Sequence, residues 1–308
     1  MNSVDQLFQY TQTDSSVLKD PEVAHVVLNQ NKVLGQNTVP GLNVDLKEMK
    51  EGIQAFLTVE EGIHIPKTVH LCFGMMPEKG VQRIEMEINL EKNSRLAVLA
   101  HCVFPTAVDV QHIMNATINI AEGAQYSYIE KHIHSLEGGV KVYPKATVHL
   151  GPYAQYKTEF DLLKGRVGLI DIDYQTHCDT KSVLEMTAKI NGLAQDTIKV
   201  NETGFLNGKG ARGVLTSKIA VRDEAKAEIR NKLTASAPYA RGHVDCKEIV
   251  QDNGTATAIP IVEVHNPKAH ITHEAAIGSV DAKQLQTLLS RGLSEDEAVE
   301  LIIQGLLS

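Results

Sequence analysis

The 308-residue chain has no tryptophan, and aromatic residues make up only 5% of it. That scarcity argues against the row of stacked rings that lines polysaccharide grooves. Basic residues are in the minority, 30 against 38 acidic ones, for a net charge of −8, and no stretch concentrates them. Nucleic acid and anionic membrane are therefore poor partners. No apolar run approaches the roughly 18 residues of a membrane-spanning helix. The opening "MNSVDQLFQY" lacks the basic-then-apolar order of a secretory leader, so a soluble, cytoplasmic protein is expected. The four cysteines, Cys72, Cys102, Cys178 and Cys246, are scattered with no CxxC pair. This speaks against a disulfide framework and against a zinc site built from paired thiolates. Each reads first as a small buried apolar side chain. Neither a GxxxxGKS/T phosphate loop nor a GxSxG elbow is present, so the chain shows no ATP-hydrolysing motif of its own.

What the chain does have is self-similarity. The segments "INLEKNSRLAV" (88–98), "INIAEGAQYSY" (118–128) and "VHLGPYAQYKT" (148–158) share one pattern. Alternating apolar residues lead into a three-residue turn, a small residue and a second alternating stretch. Further copies are "AKINGLAQDTI" (188–198), "IAVRDEAKAEI" (219–229), "EIVQDNGTATA" (248–258) and "VEVHNPKAHITH" (262–273). Period-two alternation with Gly, Asn, Asp and Pro in the turns means strands. Strands recurring at a fixed interval mean a solenoid whose units bury their apolar faces by stacking. A mainly β fold, a parallel β-helix over residues 81–278, is expected. Residues 1–80 would form a small N-terminal cap, with a short helix near Val4–Tyr10. Residues 279–308 switch to helical periodicity: Ala282, Leu285, Leu288 and Leu289 share a face, and Gly292 ends it. Ser294 with Glu297 makes a capping box for a last helix with Ala298, Leu301, Ile302 and Leu306 as its apolar side.

Stacked copies can be read as columns. One column runs Met86, Ala116, Ala146, Met186, Ser217, Cys246. The next runs Ile88, Ile118, Val148, Ala188, Ile219, Glu248, Val262. A third, in the second strand of each unit, runs Val98, Tyr128, Thr158, Ile198, Ile229, Ala258, His273. Glu248 and His273 break apolar columns in the last units, close to Cys246. A thiol, a carboxylate and an imidazole in an apolar interior are costly unless they pair or bind a metal. The combination suits iron or zinc. The alternative has Cys246 as a core residue, Glu248 on a bulge facing water and His273 bonded to backbone. Other candidates are weaker. His132 and His134 form a His-x-His face that reads as a solvated strand. His265 and His270 flank the turn "NPKA" as surface residues, and His101 and Cys102 point to opposite faces. His243 and Asp245 face away from Cys246. Asp171 and Asp173 form a paired-carboxylate face such as a β-helix carbohydrate hydrolase or lyase would use. A metal-free structural binding module is the third possibility.

The C-terminal third resembles the SufB/SufD family of iron–sulfur cluster assembly scaffolds. The match lies in "HVDCKEIV", "AIPIVEVHNPKAHITHEAAIGSVDAKQL" and "LSRGLSEDEAVELIIQGLL", and the run "THEAAIG" before an "SRGLSEDEA" helix start is specific. The resemblance implies a right-handed parallel β-helix whose C-terminal helices bind an ABC-type ATPase like SufC. It also implies that a transient iron–sulfur cluster is assembled at the interface of two such subunits, here a homodimer through the β-helix, with sulfur from a donor protein. His273 falls on the family's histidine in the "HEA" stretch and Glu274 on its acidic neighbour. Cys246 matches a cysteine in a "QCD"-like strand. Some members carry a cysteine in an "IEC" stretch where this chain has Val264, which moves the expected thiolate to Cys246. Glu248 or Glu263 would add an oxygen ligand or tune the thiol. The family sometimes binds a flavin, for which this chain offers no signal.

Overall fold

Alternation decides the architecture. In the strand Gln125–His134 every second side chain is buried, and the same rhythm runs through most strands of the chain. A strand with one apolar face needs a facing partner. In the computed structural model, which describes residues 3–11, 13–50 and 52–308, consecutive strands go alternately to two sheets, one of ten strands and one of nine. Apart from one antiparallel pair in each sheet at the N-terminal end, the neighbours run parallel, as in Arg95–Phe104 with Gln125–His134 and Asp109–Ile120 with Val140–Leu150. The expected mainly β, parallel solenoid is the fold. Its core is the single apolar file between the two inner faces, where each fully buried Ile or Leu contributes roughly 1.5–3 kcal/mol.

The turns explain the repeat. Asn93, Gly123, Tyr153 and Lys181 occupy equivalent corners with φ of 56°, 70°, 60° and 55°, the left-handed step that reverses the chain. The small residue that follows, Ser94, Ala124, Ala154 or Ser182, is buried in the corner.

Coil length is not constant. Ile88, Ile118 and Val148 are register neighbours at the expected spacing, with bonded partners 30 residues apart. Val148 then pairs with Thr176, and the column continues through Gly204, Leu233 and Val262; coils there span 28 and then 29 residues. The copy at 188–198 spans the other corner of the coil, from the ten-stranded to the nine-stranded sheet, so columns aligned on the turn pattern cross from one sheet to the other after Val148. Ala188, Ile219 and Glu248 lie in the ten-stranded sheet, as do Met186, Ser217 and Cys246. Ile198, Ile229 and Ala258 lie in the nine-stranded one. The true column of His273 runs Val98, Tyr128, Thr158, Met186, Leu215, Val244, His273.

Stacking extends back before residue 81. His25–Asn29 pairs in parallel with Val69–Gly74, and Gly52–Val59 with Lys79–Leu90. Antiparallel strands Lys32–Asn37 and Leu42–Met49 are the edge strands of the two sheets at this end. Helix α1 (Ser3–Phe8) lays Leu7 and Phe8 on the outer face of the ten-stranded sheet, against Val27, Cys72 and Val103. Gly74 lies directly under Leu7, where a Cβ would collide with that side chain.

At the far end, helices α2 (Ala282–Leu289) and α3 (Glu295–Leu307) lie on the outer face of the same sheet. Val280, Ile303 and Leu307 pack on Ala220, with Ile249 alongside. The Ser294–Glu297 capping box forms, and Gly292 takes φ 93° after α2. The buried stripe of α3 is Ala298, Ile303 and Leu307, while Leu301 is 48% exposed. This differs from the expected apolar side because α3 has two neighbours. One stripe meets the sheet, and Leu301, Ile302 and Leu306 face a groove shared with α2. Among the described residues no helix is long and apolar enough to cross a membrane.

Candidate functional site

The solenoid ends on two uncovered strands, Thr255–Val264 in one sheet and His270–Gly278 in the other. Most of His270–Gly278 is exposed because no further coil covers it. The strand before it in the same sheet, Arg241–Val250, is the first sealed layer. Its inner face carries Val244, Cys246 and Glu248, all buried. Its outer face carries His243, Asp245 and Lys247.

Around Cys246 the interior is polar. Asn231 Nδ2, from the facing sheet, donates to Cys246 Sγ at 3.9 Å, and Ser217 Oγ donates to Glu248 Oε1 at 3.0 Å. Glu202 is buried on the same facing sheet, one strand from Asn231. Glu248 Oε2, Glu202 Oε2 and Asn231 Oδ1 have no bonding partner. Burial pushes the Cys246 thiol up to about 11; the Ser217 bond opposes this, and the charges of Glu248, Asp245 and Glu202 add to it. Burial likewise takes the Glu248 carboxyl to about 7, against the Ser217 bond and with help from Asp245. Burial alone takes Glu202 to about 8. As it stands, Cys246 is a protonated thiol, and nucleophile and metal ligand are both the thiolate.

The other expected residues fall on three surfaces. His273 pairs with Val244, on the inner face of the open strand and on the side of Cys246. Glu274 pairs with Asp245 on the opposite, outer face. There the side-chain donors of His243, Asp245 and Glu274 lie within 4.8 Å of one another, His243 Nδ1 meets Thr272 Oγ1 at 2.7 Å, and Lys247 Nζ sits 2.9 Å from Asp245. The two residues set aside in the sequence, His243 and Asp245, therefore share a cluster with Glu274. Glu263 lies in the other sheet, held by Lys232 at 3.0 Å and by Thr234 at 3.0 Å. His265 and His270 are exposed.

Sequence reading placed Ser217 next to Cys246 in one column, as the strand pairing does, but missed Asn231 and Glu202, which come near Cys246 only through the facing of two sheets. It also misplaced His132 and His134. Expected on a solvated face, both are buried, because Tyr128 lies in an inner column and residues two apart share a face. Asp171 and Asp173 lie on the outer face of the nine-stranded sheet; Asp173 accepts from Asn201 at 2.9 Å and borders a shallow polar hollow with Glu85, Glu87 and Lys145. Phe56 is the one aromatic ring lining that hollow.

Comparison with known proteins points to one family. The model of the SufBD core domain of the SUF system for FeS cluster assembly matches residues 75–306. An iron–sulfur cluster assembly SufBD family protein of Methanocaldococcus jannaschii is 37% identical over 294 residues, covering 94% of this chain and 93% of that protein. A second, from Pyrococcus horikoshii, is 34% identical over 285 residues, covering 92% and 87%.

Proposed function

The chain belongs to the SufBD family, and from that premise we propose that it is a scaffold on which an iron–sulfur cluster is assembled as cargo, with no catalytic turnover of its own. The open terminal strand carries the proposal. His273 stands on its inner face beside Val244, and Cys246 and Glu248 occupy that face one strand inside. Cys246 would supply the thiolate, His273 the imidazole, and Glu274, Glu248 and Glu263 oxygen ligands or local charge. Soft thiolate with imidazole and carboxylate is a donor set suited to iron. A second copy docked on the uncovered strands would bring two such sets together and complete a homodimer through the β-helix.

Loading requires movement, because a fully buried thiol at about 11 is neither accessible nor ionised. The helix pair offers the lever. Between α2, α3 and the terminal strands runs a groove of about 1050 Å³, lined by Ile277, Leu288, Leu301 and Leu306. Arg222 pairs with Glu300 at 2.7 Å, and Ile249, adjacent to Glu248 in the chain, packs among the α3 residues. An ABC-type ATPase of the SufC kind, docked on these helices, would shift the last coil as it hydrolyses ATP. Cys246 would then meet iron and the sulfur brought by a donor protein, within the cytoplasm. Anaerobic reconstitution with iron and sulfide, alone and with the ATPase, tests this. Wild type should gain cluster absorbance with matching iron and sulfide, and Cys246→Ser and His273→Ala should lose most of both. Full cluster content in both variants would remove these residues from the site.

A further inference from the structure

A second constellation lies deep in the solenoid, in coils that the proposed scaffold site does not use. Cys102, Glu130 and His132 are all buried, and one donor atom from each lies within 4.8 Å of the others. Cys102 Sγ is 3.6 Å from Glu130 Oε1 and 3.7 Å from His112 Nε2, and His132 Nε2 is 2.6 Å from Glu130 Oε1. The S···O distance is close to the edge of a tetrahedron whose bonds are about 2.0–2.3 Å, the lengths zinc makes to these atoms.

The hydrogen-bond chain fixes where charge must sit. Arg166 O can only accept, so His134 Nδ1 carries the proton of their 3.2 Å bond. The buried His134 ring has its two nitrogens on an imidazole and a backbone carbonyl, with no carboxylate bonded to it, and so carries no charge. Its Nε2 is therefore a lone pair and accepts from His132 Nδ1 at 3.1 Å. That leaves His132 Nε2 aimed at a carboxylate oxygen, an arrangement that needs a positive charge between the two. Tyr128 donates to the other oxygen of Glu130 at 2.8 Å, so the tyrosine does not supply it. A proton can fill the gap, and so can a metal cation. A ligating imidazole whose other nitrogen donates to a fixed acceptor is the usual outer support of a metal site. Phe104, packed against His112, His132 and His134 with centroids 5.1, 6.2 and 5.0 Å away, holds the rings in place.

We propose that Cys102, Glu130 and His132 bind one divalent cation of the zinc or iron(II) kind inside the solenoid, with His112 beside the thiolate. Binding exchanges the cation for two protons, that of the Cys102 thiol and the one shared by Glu130 and His132. The site is neutral before and after, which removes the main cost of placing a charge in an apolar interior.

Because the site is sealed, the cation must be present as the chain folds. Cells expressing the full chain in cobalt(II)-supplemented minimal medium supply it, and cobalt reports thiolate ligation as a charge-transfer band in the near ultraviolet. Wild type should carry about one cobalt per chain and the band. Cys246→Ser, which disables the proposed scaffold site, should keep both, so the two sites can fail separately. Cys102→Ser should lose the band. Glu130→Gln, which keeps its shape and leaves the thiol in place, should retain roughly tenfold less cobalt or lower still. Wild-type protein without cobalt, or Cys102→Ser with an unchanged band, overturns the assignment.

Discussion

Glu130 and Cys246 occupy the same column of the same sheet, which runs Ala100, Glu130, Phe160, Ala188, Ser217, Cys246, Ala275. Four strand spacings, about 19 Å, separate them. Their surroundings differ in partner supply. In the middle of the solenoid both oxygens of Glu130 are bonded, by Tyr128 and His132. Burial raises its carboxyl, but the bond and charge of His132 and the Tyr128 hydroxyl outweigh it, and the group lies below its ordinary value. At the open end Glu248 has one bonded oxygen, and Glu202 and Asn231 carry unpartnered atoms. Both carboxyls there are raised. The Glu130 set bonds both of its carboxylate oxygens, with a proton or the proposed cation between Glu130 and His132, whereas the set at the open end leaves carboxylate and amide oxygens without partners.

Breaking the Glu130 set should have the largest effect. Glu130→Ala strands the His132 ring and the Tyr128 hydroxyl, and removing one partner of a buried pair costs about 3–5 kcal/mol. Urea unfolding measures it, and a loss under 1 kcal/mol would make the two regions equivalent. The open end should instead gain by substitution. Glu202 and Glu248 have folded values of about 8 and about 7 against an unfolded value near 4.3. Through that window the folded state keeps protons that the unfolded state has released, so stability falls as pH rises from about 4.3 to about 8. Glu202→Gln should flatten this decline most and be more stable than wild type at pH 8. Glu248→Gln should do the same to a smaller extent, flattening it only up to about pH 7. Urea midpoints between pH 5 and 8 check both, and unchanged profiles would return these carboxyls to ordinary behaviour. The smallest effect belongs to Ser294→Ala, which removes the α3 cap at a cost of about 1 kcal/mol. Hydrogen exchange should show it confined to the first turn of α3, with the Glu130 layer unmoved.

Much of the fold was legible because a solenoid writes its core in the sequence as a period. The turn-plus-small-residue pattern located the corners, and Tyr128, Thr158 and His273 fell in their true column. Aligning copies on the turn pattern failed after Val148, since both corners of a coil carry the same pattern and the next matched copy, 188–198, sits at the other corner. The buried histidines were recoverable. Placing Tyr128 inside obliges Glu130, His132 and His134 to face inward, although a His-x-His run looks like a wet surface. The contacts of Cys246 with Asn231, and the nearness of Glu202, were not recoverable, because they depend on how the two sheets face each other. Glu274 was expected with Cys246 but lies on the other face of its strand, as odd and even neighbours must.

Alkylation of the four cysteines, followed residue by residue by mass spectrometry, tests most directly whether the last coil opens while the rest stays sealed. All four are buried, so the isolated protein should label slowly at each. With the ABC-type ATPase and ATP, Cys246 should label rapidly while Cys72, Cys102 and Cys178 remain protected. If Cys246 stays as protected as Cys102 while the protein still loads a cluster, the terminal coil is not the assembly site.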